Sequence, residues 1–222
     1  MPCSVKLLRV VKSSPRFLDF EQYKRLVETA RLIDSRTHLI VLLGGDAGLR
    51  CGEMMALEWS DVDLVNRRVC VRQSDWNGLV TAPKSGRLRL VPLTRRLAAA
   101  LSARRHRQGS RVLCQDDAAP LTRQMVQSRV KSATRKARLS ENSVHALRHT
   151  SGSHLAMKGA PARAIQEAAG HQELGTTQRY MHLSPAALDD AIRLLEYQCP
   201  PSRGEMMETD LRRRGTSMLR TT

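Results

Sequence analysis

His145 and Arg148 stand three residues apart in His145-Ala146-Leu147-Arg148-His149-Thr150. On a helix that spacing puts both on one face, where they can meet a single anion. Four other short segments carry similar groups. Arg50 and Glu53 lie in Ala47-Gly48-Leu49-Arg50-Cys51-Gly52-Glu53, and Lys84 and Arg87 in Ala82-Pro83-Lys84-Ser85-Gly86-Arg87. His171 closes Ala169-Gly170-His171, and Tyr180 stands in Thr176-Thr177-Gln178-Arg179-Tyr180-Met181-His182. Cutting a phosphodiester by nucleophilic attack needs a nucleophile, neutralisation of the charge building on phosphorus, a proton acceptor, and a proton for the leaving oxygen. Side chains of these types can supply all four. Tyrosine is a weak nucleophile because its pKa is about 10. Fixed cations nearby lower that pKa and stabilise the non-bridging oxygens. Arginine suits this task, being planar, permanently charged and bidentate to phosphate.

Each group also has a structural reading. Of the three tyrosines, Tyr23 sits on the apolar face of a helix and reads as core, while Tyr197 ends a helix near the C-terminal tail. Lys84 alone would be a solvated turn lysine. His149 and His182 read as hydrogen-bonding neighbours of the site, and His38, His106 and His154 have no motif around them. In His145-x-x-Arg148 an arginine takes the place of a second metal ligand, and no carboxylate cluster accompanies the histidines. Catalysis without metal or cofactor is therefore expected.

Taken together and in this order, the five segments resemble the tyrosine recombinases, also called the phage integrase family, across roughly Asp19 to Leu195. The likeness also takes in Leu57-Glu58-Trp59-Ser60-Asp61 and Val91-Pro92-Leu93. Ala47 departs from the family pattern, in which threonine is commoner. The resemblance implies a mainly α fold with a small antiparallel β-sheet (α+β), the catalytic-domain fold of that family. It assigns Tyr180 as nucleophile, Arg50, Arg148, His145 and His171 as groups on the scissile phosphate, and Lys84 as general acid for the departing 5′ oxygen. Glu53 would orient the pocket. The implied reaction is site-specific cutting and rejoining of double-stranded DNA through a 3′-phosphotyrosyl link, by a protein that is monomeric when free and a homo-tetramer on paired sites. A type IB topoisomerase and a catalytically idle DNA-binding accessory protein are the alternatives. The family also carries an N-terminal clamp domain, whereas only about 17 residues precede the first expected helix here.

The elements that must position these residues can be read from spacing. Asp19 and Gln22 form a capping-box pattern, with Leu18 and Tyr23 placed as a hydrophobic staple. Phe20, Tyr23, Val27, Ala30 and Ile33 then follow helical spacing. A second apolar helix covers Leu39 to Leu43 and stops at Gly44-Gly45, and a third runs from about Arg50 to Leu57. Alternation at Arg68–Arg72 and Leu88–Val91, with an Asn77-Gly78 turn between, predicts one small sheet from about Arg67 to Leu93. Helices are expected from there to about Glu196, with breaks at Gly109, Pro120, Gly159–Pro161 and Gly175. The expected organisation is a basic leader or linker remnant at 1–17, a catalytic domain at 18–197 and a flexible tail at 198–222. The segment after Pro185 is amphipathic, with Leu188, Ile192 and Leu195 on one face, and the resemblance implies that it docks in cis when the protein is alone and on a neighbouring protomer in the DNA-bound ring.

Composition points the same way. A net charge of +16 and aromatics at 3% describe a basic, helix-friendly chain that self-repels unless a polyanion lies against it. Fourteen basic residues fall between Arg87 and Arg138, against only Asp116 and Asp117, which reads as a DNA-tracking surface. A basic membrane-surface protein would explain none of the motifs. Five scattered cysteines without a C-x-x-C pair, no signal peptide and no spanning segment fit a cytoplasmic protein.

Overall fold

A computed structural model describes residues 16–82, 88–106, 109–140, 143–181 and 192. The chain divides into two compact units, Met1–Pro185 and Ala186–Thr222, and apart from Ile192 every described residue belongs to the first. The fold is mainly helical with small antiparallel sheets, as the sequence implied.

Helix α1 (Phe20–Ile33) starts where Asp19 accepts from Gln22 N and Gln22 reaches back to Asp19 N, closing the expected capping box. Its buried stripe is Tyr23, Leu26, Val27 and Ala30. Phe20, expected in that stripe, is 43% exposed instead. It stands at the first helical position, and its ring stacks on His154 at 4.1 Å. The following helix, α2 (Ser35–Gly45), begins earlier than its apolar run because Asp34 caps it at Thr37 N. Leu39–Leu43 is buried at every position, so this stretch of α2 has no solvent face, while Ser35 at its start is exposed. Helices α1, α3 (Cys51–Ala56), α4 (Arg95–Ala103), α5 (Arg123–Lys136) and α6 (Val144–Met157) all pack against it. Each fully buried leucine there contributes about 1.5–3 kcal/mol.

The single sheet predicted between Arg67 and Leu93 is two. Strands β1 (Val62–Asp63), β2 (Arg68–Val71) and β5 (Arg89–Pro92) form one in the order β1-β2-β5, with Val69 opposite Val91 and Cys70 opposite Leu90. Val69, Val71 and Val91 face the core while Leu90 is exposed, as a period of two requires. Strands β3 (Ser74–Trp76) and β4 (Leu79–Thr81) form a separate hairpin around Asn77 and Gly78, both at positive φ. Lys84 and Arg87 lie outside the described residues.

The helices after the sheets differ from expectation in several places, one being that α5 ends at Lys136 and α6 begins at Val144, where no break was expected. The described part of the stretch from Arg104 to Thr122 is not helical; Arg111 and Cys114 make isolated bridges to Glu58 and Pro120. Gly175 does not break a helix but lies inside α8 (Leu174–Met181), where a β-carbon would meet nothing within 4 Å. Ser143 caps α6 through Ala146 N, and α6 is wrapped by α2, α5, α7 (Ala162–Ala169) and α8. That wrapping lets one helix present His145, Arg148 and His149 to several neighbours at once. Leu18 ties the chain to α6, donating to Thr150 Oγ1 and accepting from His154. The predicted elements beyond Met181 lie outside the described residues, save Ile192.

Candidate active site

The site is built on one buried carboxylate. Glu53, 1% exposed, sits in the first turn of α3 and accepts from Arg50 N and Arg50 Nη1, both at 2.8 Å. Arg89, at the start of β5, grips the same carboxylate with two nitrogens at 2.9 and 2.7 Å. Burial alone would raise this carboxyl, but the hydrogen bonds and charge of Arg89, followed by those of Arg50, outweigh it and hold the pKa at about 2. The free Nη2 of Arg50 donates to Gly170 O at 2.9 Å. Gly170 ends α7 in the left-handed region, with the Arg89 guanidinium 2.9 Å from where a β-carbon would stand. Glu53 therefore fixes Arg50 and ties α3, β5 and the α7 terminus together.

A pH dependence follows. The folded pKa of Glu53, about 2, is below the ordinary 4.5, so its stabilisation is full above pH 4.5 and is lost as the pH falls towards 2. At 1.36 kcal/mol per pKa unit the effect is about 3 kcal/mol. Denaturant unfolding of the native chain and of Glu53→Gln should show the native stability falling by that much more between pH 5 and 2. Parallel curves would contradict the arrangement.

Arg148 and His145 meet Arg50 across a cleft of about 490 Å³, which Ser74, Trp76 and Arg123 also line. Arg148 is 4% exposed, and its Nη1 donates to Gly48 O at 2.6 Å. Gly48 has φ +63°, and a β-carbon there would stand 3.3 Å from Ser151 Oγ on α6, which explains glycine at this point of the Ala47-Gly48-Leu49-Arg50 segment. The Nη2 of Arg148 is buried and has no hydrogen-bond partner within the described protein. Burial, and after it the charge of Arg50, pushes this guanidinium down to about 9. An unpaired cation of this kind is costly, and an anion in the cleft would offset that cost. His145 is partly exposed at the cleft, and its partial burial, then the charges of Arg148 and Arg50, hold its pKa below the usual histidine value.

Tyr180 is 2% exposed, with its ring against Gly152 of α6, where a β-carbon would stand 3.1 Å away. Its hydroxyl is 2.5 Å from Nδ1 of His149. The ring of His171 stacks beside Tyr180 at 6.1 Å, while its Nδ1 bonds Thr177 Oγ1 at 2.9 Å. His145 and His149 touch edge to face at 4.3 Å. Burial raises the Tyr180 pKa, against the opposing charge of Arg148 and then Arg179. Burial, then Arg148 and Arg50, pushes His171 down to about 4.

Five of the six residues singled out in the sequence thus gather around Arg148 and Tyr180; the sixth, Lys84, is outside the described residues. Two residues at the site were missed. Arg89 was counted as part of a DNA-tracking surface, and His149 was set aside as a neighbour. An alternating strand register pointing Arg89 inward was the available signal for the first. Its place next to Arg148 on one helix was the signal for the second. The basic stretch itself needs correction. Arg96, Arg111 and Arg129 are salt-bridged to Asp46, Asp75 and Asp34, as Arg89 is to Glu53. Counting charge along the chain overlooks acids that folding brings in. Arg95, Arg105, Lys131, Arg135, Lys136 and Arg138 are exposed and form no ion pair with the described residues.

With this geometry in view, comparison with known proteins is decisive. The model of the phage integrase family matches residues 16–187. The chain belongs to the phage integrase family. This integrase-family chain is 33% identical over 177 residues to the tyrosine recombinase XerC of Xanthomonas campestris pv. campestris, covering 76% of the chain and 52% of the relative. It is 34% identical over 178 residues to the tyrosine recombinase XerA of Thermococcus kodakarensis, covering 78% and 60%. It spans about half the length of the XerC relative it matches. A crystal structure of XerA recombinase shares its fold with TM-score 0.66 at 24% identity, over 87% of this chain and 68% of that one. The catalytic domain of bacteriophage HP1 integrase does so with TM-score 0.61 at 24% identity, over 80% and 94%. No helix among the described residues is long and apolar enough to cross a membrane.

Proposed function

We propose that this chain is the catalytic domain of a site-specific DNA recombinase or integrase, taken as residues 18–197. Tyr180 attacks the scissile phosphate, giving a 3′-phosphotyrosyl link and a free 5′-hydroxyl, and a partner strand's 5′-hydroxyl reverses the step. Arg50 and Arg148 neutralise the phosphorane, with His145 and His171 as further donors, and Lys84 protonates the leaving oxygen. Bond energy is kept in the covalent link, so rejoining needs no nucleotide. The partner is double-stranded DNA, with the chain monomeric when free and tetrameric on paired sites.

The observation that carries this reading is Arg148: a buried guanidinium with one nitrogen unpaired, in the same cleft as Arg50. Permanent cations fixed before the ligand arrives are what a developing phosphorane requires. A related fold is seen in Tn1549 transposon integrase in complex with circular intermediate DNA, with TM-score 0.70 at 20% identity. The curated relatives are recombinases, so the topoisomerase and idle-binder readings are not favoured.

The test is covalent capture. The chain is incubated with duplexes of randomised sequence, nicked so that a cleaved strand loses its short 5′-hydroxyl fragment and cannot religate. Captured DNA is separated under denaturing conditions and sequenced. The native chain should trap a defined sequence and Tyr180→Phe should trap none. Equal capture by the phenylalanine variant would end the assignment.

A further inference from the structure

We propose that Trp76 and Arg123 form a sequence-reading pair, in which the Trp76 ring holds the Arg123 guanidinium at the cleft to pair with a guanine beside the cleaved bond. This rests on the function proposed above and adds to it a determinant of which DNA is cut, which none of the sequence motifs supplies.

Trp76 is 60% exposed on the β3–β4 hairpin, an open position for so large an apolar ring. The hairpin beneath it is firmly seated. A β-carbon on Gly52, two residues after Arg50, would stand 2.5 Å from Ser74 Oγ and 2.7 Å from Asp75 O. Glycine there lets the hairpin lie directly on α3. Asp75 is buried and accepts from Arg111 Nη1 at 3.0 Å and from Gly78 N at 2.8 Å, fixing both the strand and its turn. Trp76 stands between those two anchored points.

Arg123 opens α5, and its Cζ lies 4.6 Å from the centre of the Trp76 ring, within range of a cation–π contact. Both side chains line the cleft that holds Arg50, His145 and Arg148. Burial raises the Cys51 thiol and the Arg123 charge opposes it, so that charge sits near the first residue of α3. Arg50 is tied to Glu53 and Gly170, and Arg148 to Gly48. Arg123 differs from both: among the described residues it makes no hydrogen bond or ion pair, so its planar fork of N–H donors is open to a ligand. Stacking on an aromatic face removes side-chain freedom before the ligand arrives and leaves the donors unused. A phosphate contact would need only charge. A fork held in one geometry suits paired acceptors, and in the major groove those are O6 and N7 of guanine. Gln127, one turn further along α5, lines the same cleft, so this face of the helix meets the DNA that enters it.

The experiment uses the full chain and the duplex recovered from covalent capture, which should carry a guanine close to the cleaved bond. Single-turnover adduct rates are compared for duplexes with guanine, 7-deazaguanine or adenine at that position, with thermal unfolding of each variant measured alongside. The native chain should prefer guanine over adenine by about 5–150-fold, the range for a bidentate contact. 7-Deazaguanine lacks the N7 acceptor and should lose most of that preference. Arg123→Met keeps the length of the side chain without its donors, and its ratio of guanine to adenine rates should be close to 1. Trp76→Leu should lower the ratio, while Trp76→Phe, which keeps an aromatic face, should retain most of it. A native ratio in Arg123→Met, or a loss of rate that is equal on all three duplexes, would overturn base reading in favour of a phosphate contact. A native ratio in Trp76→Leu would overturn the part given to the ring. Capture of a sequence with no guanine near the cleaved bond would sink this inference and leave the recombinase reading standing. If the native chain traps no DNA, the recombinase reading fails first and this inference with it.

Discussion

Replacing Arg148 with alanine is expected to slow formation of the covalent adduct by about 10³-fold, the upper end for loss of one fixed donor to a developing oxyanion. The guanidinium is buried, one nitrogen is anchored on Gly48 O, and another is unpaired, so a phosphate would be the partner that completes it. Arg148→Lys should recover little. Lysine keeps a charge but has no planar fork, so it cannot hold the Gly48 carbonyl and a phosphate oxygen in the same geometry. Because Arg50 and Arg148 repel each other in the folded protein, Arg148→Ala should not lower thermal stability as far as a cavity of its size suggests. Single-turnover rates and unfolding curves for both variants check this. An alanine variant that cleaves within tenfold of the native rate would show that Arg148 serves the fold and not the phosphate.

The second large effect concerns Lys84. An alkoxide is a strongly basic leaving group, so cleavage stalls unless a proton reaches the 5′ oxygen as the bond breaks. Lys84→Ala should therefore cost about 10²–10⁴-fold on ordinary DNA. A thiol is far more acidic, with a pKa of about 8.5 for cysteine, and its anion departs unaided. Substituting sulfur for the bridging 5′ oxygen should largely restore Lys84→Ala and should not restore Arg50→Ala or Arg148→Ala. The non-bridging oxygens of those variants still lack their countercharge. In the sequence Lys84 precedes Arg89, the first residue of β5, which shares the Glu53 carboxylate with Arg50. Should sulfur leave the lysine variant as slow as before, the proton comes from elsewhere.

How far the sequence reveals this site depends on what each residue needs from its neighbours. Local rules sufficed for the capping box at Asp19, the Asn77-Gly78 turn, and the shared face of His145 and Arg148, since each is decided within a few residues. They failed where folding brings distant groups together. Phe20 leaves the core because its ring finds His154 on α6. Arg89 and Arg96 look like free surface charge until Glu53 and Asp46 arrive from other elements. The division of one expected sheet into two depends on β2 pairing with β5 across the intervening hairpin, a long-range choice that alternation does not encode. His149 has the same history. Its ring nitrogen faces Tyr180 only because α8 folds back on α6.

The most direct measurement of the central claim is the chemical identity of the trapped link. The covalent adduct is digested with trypsin, and the DNA-bearing peptide is identified by mass spectrometry. Cleavage after Arg179 and Arg193 would release Tyr180 at the head of its own fragment, separate from those holding Tyr23 and Tyr197. The account predicts a 3′-phosphate ester on Tyr180 and a free 5′-hydroxyl on the released strand. Attachment at Tyr23, Tyr197 or a serine, or through a 5′-phosphate, would contradict it.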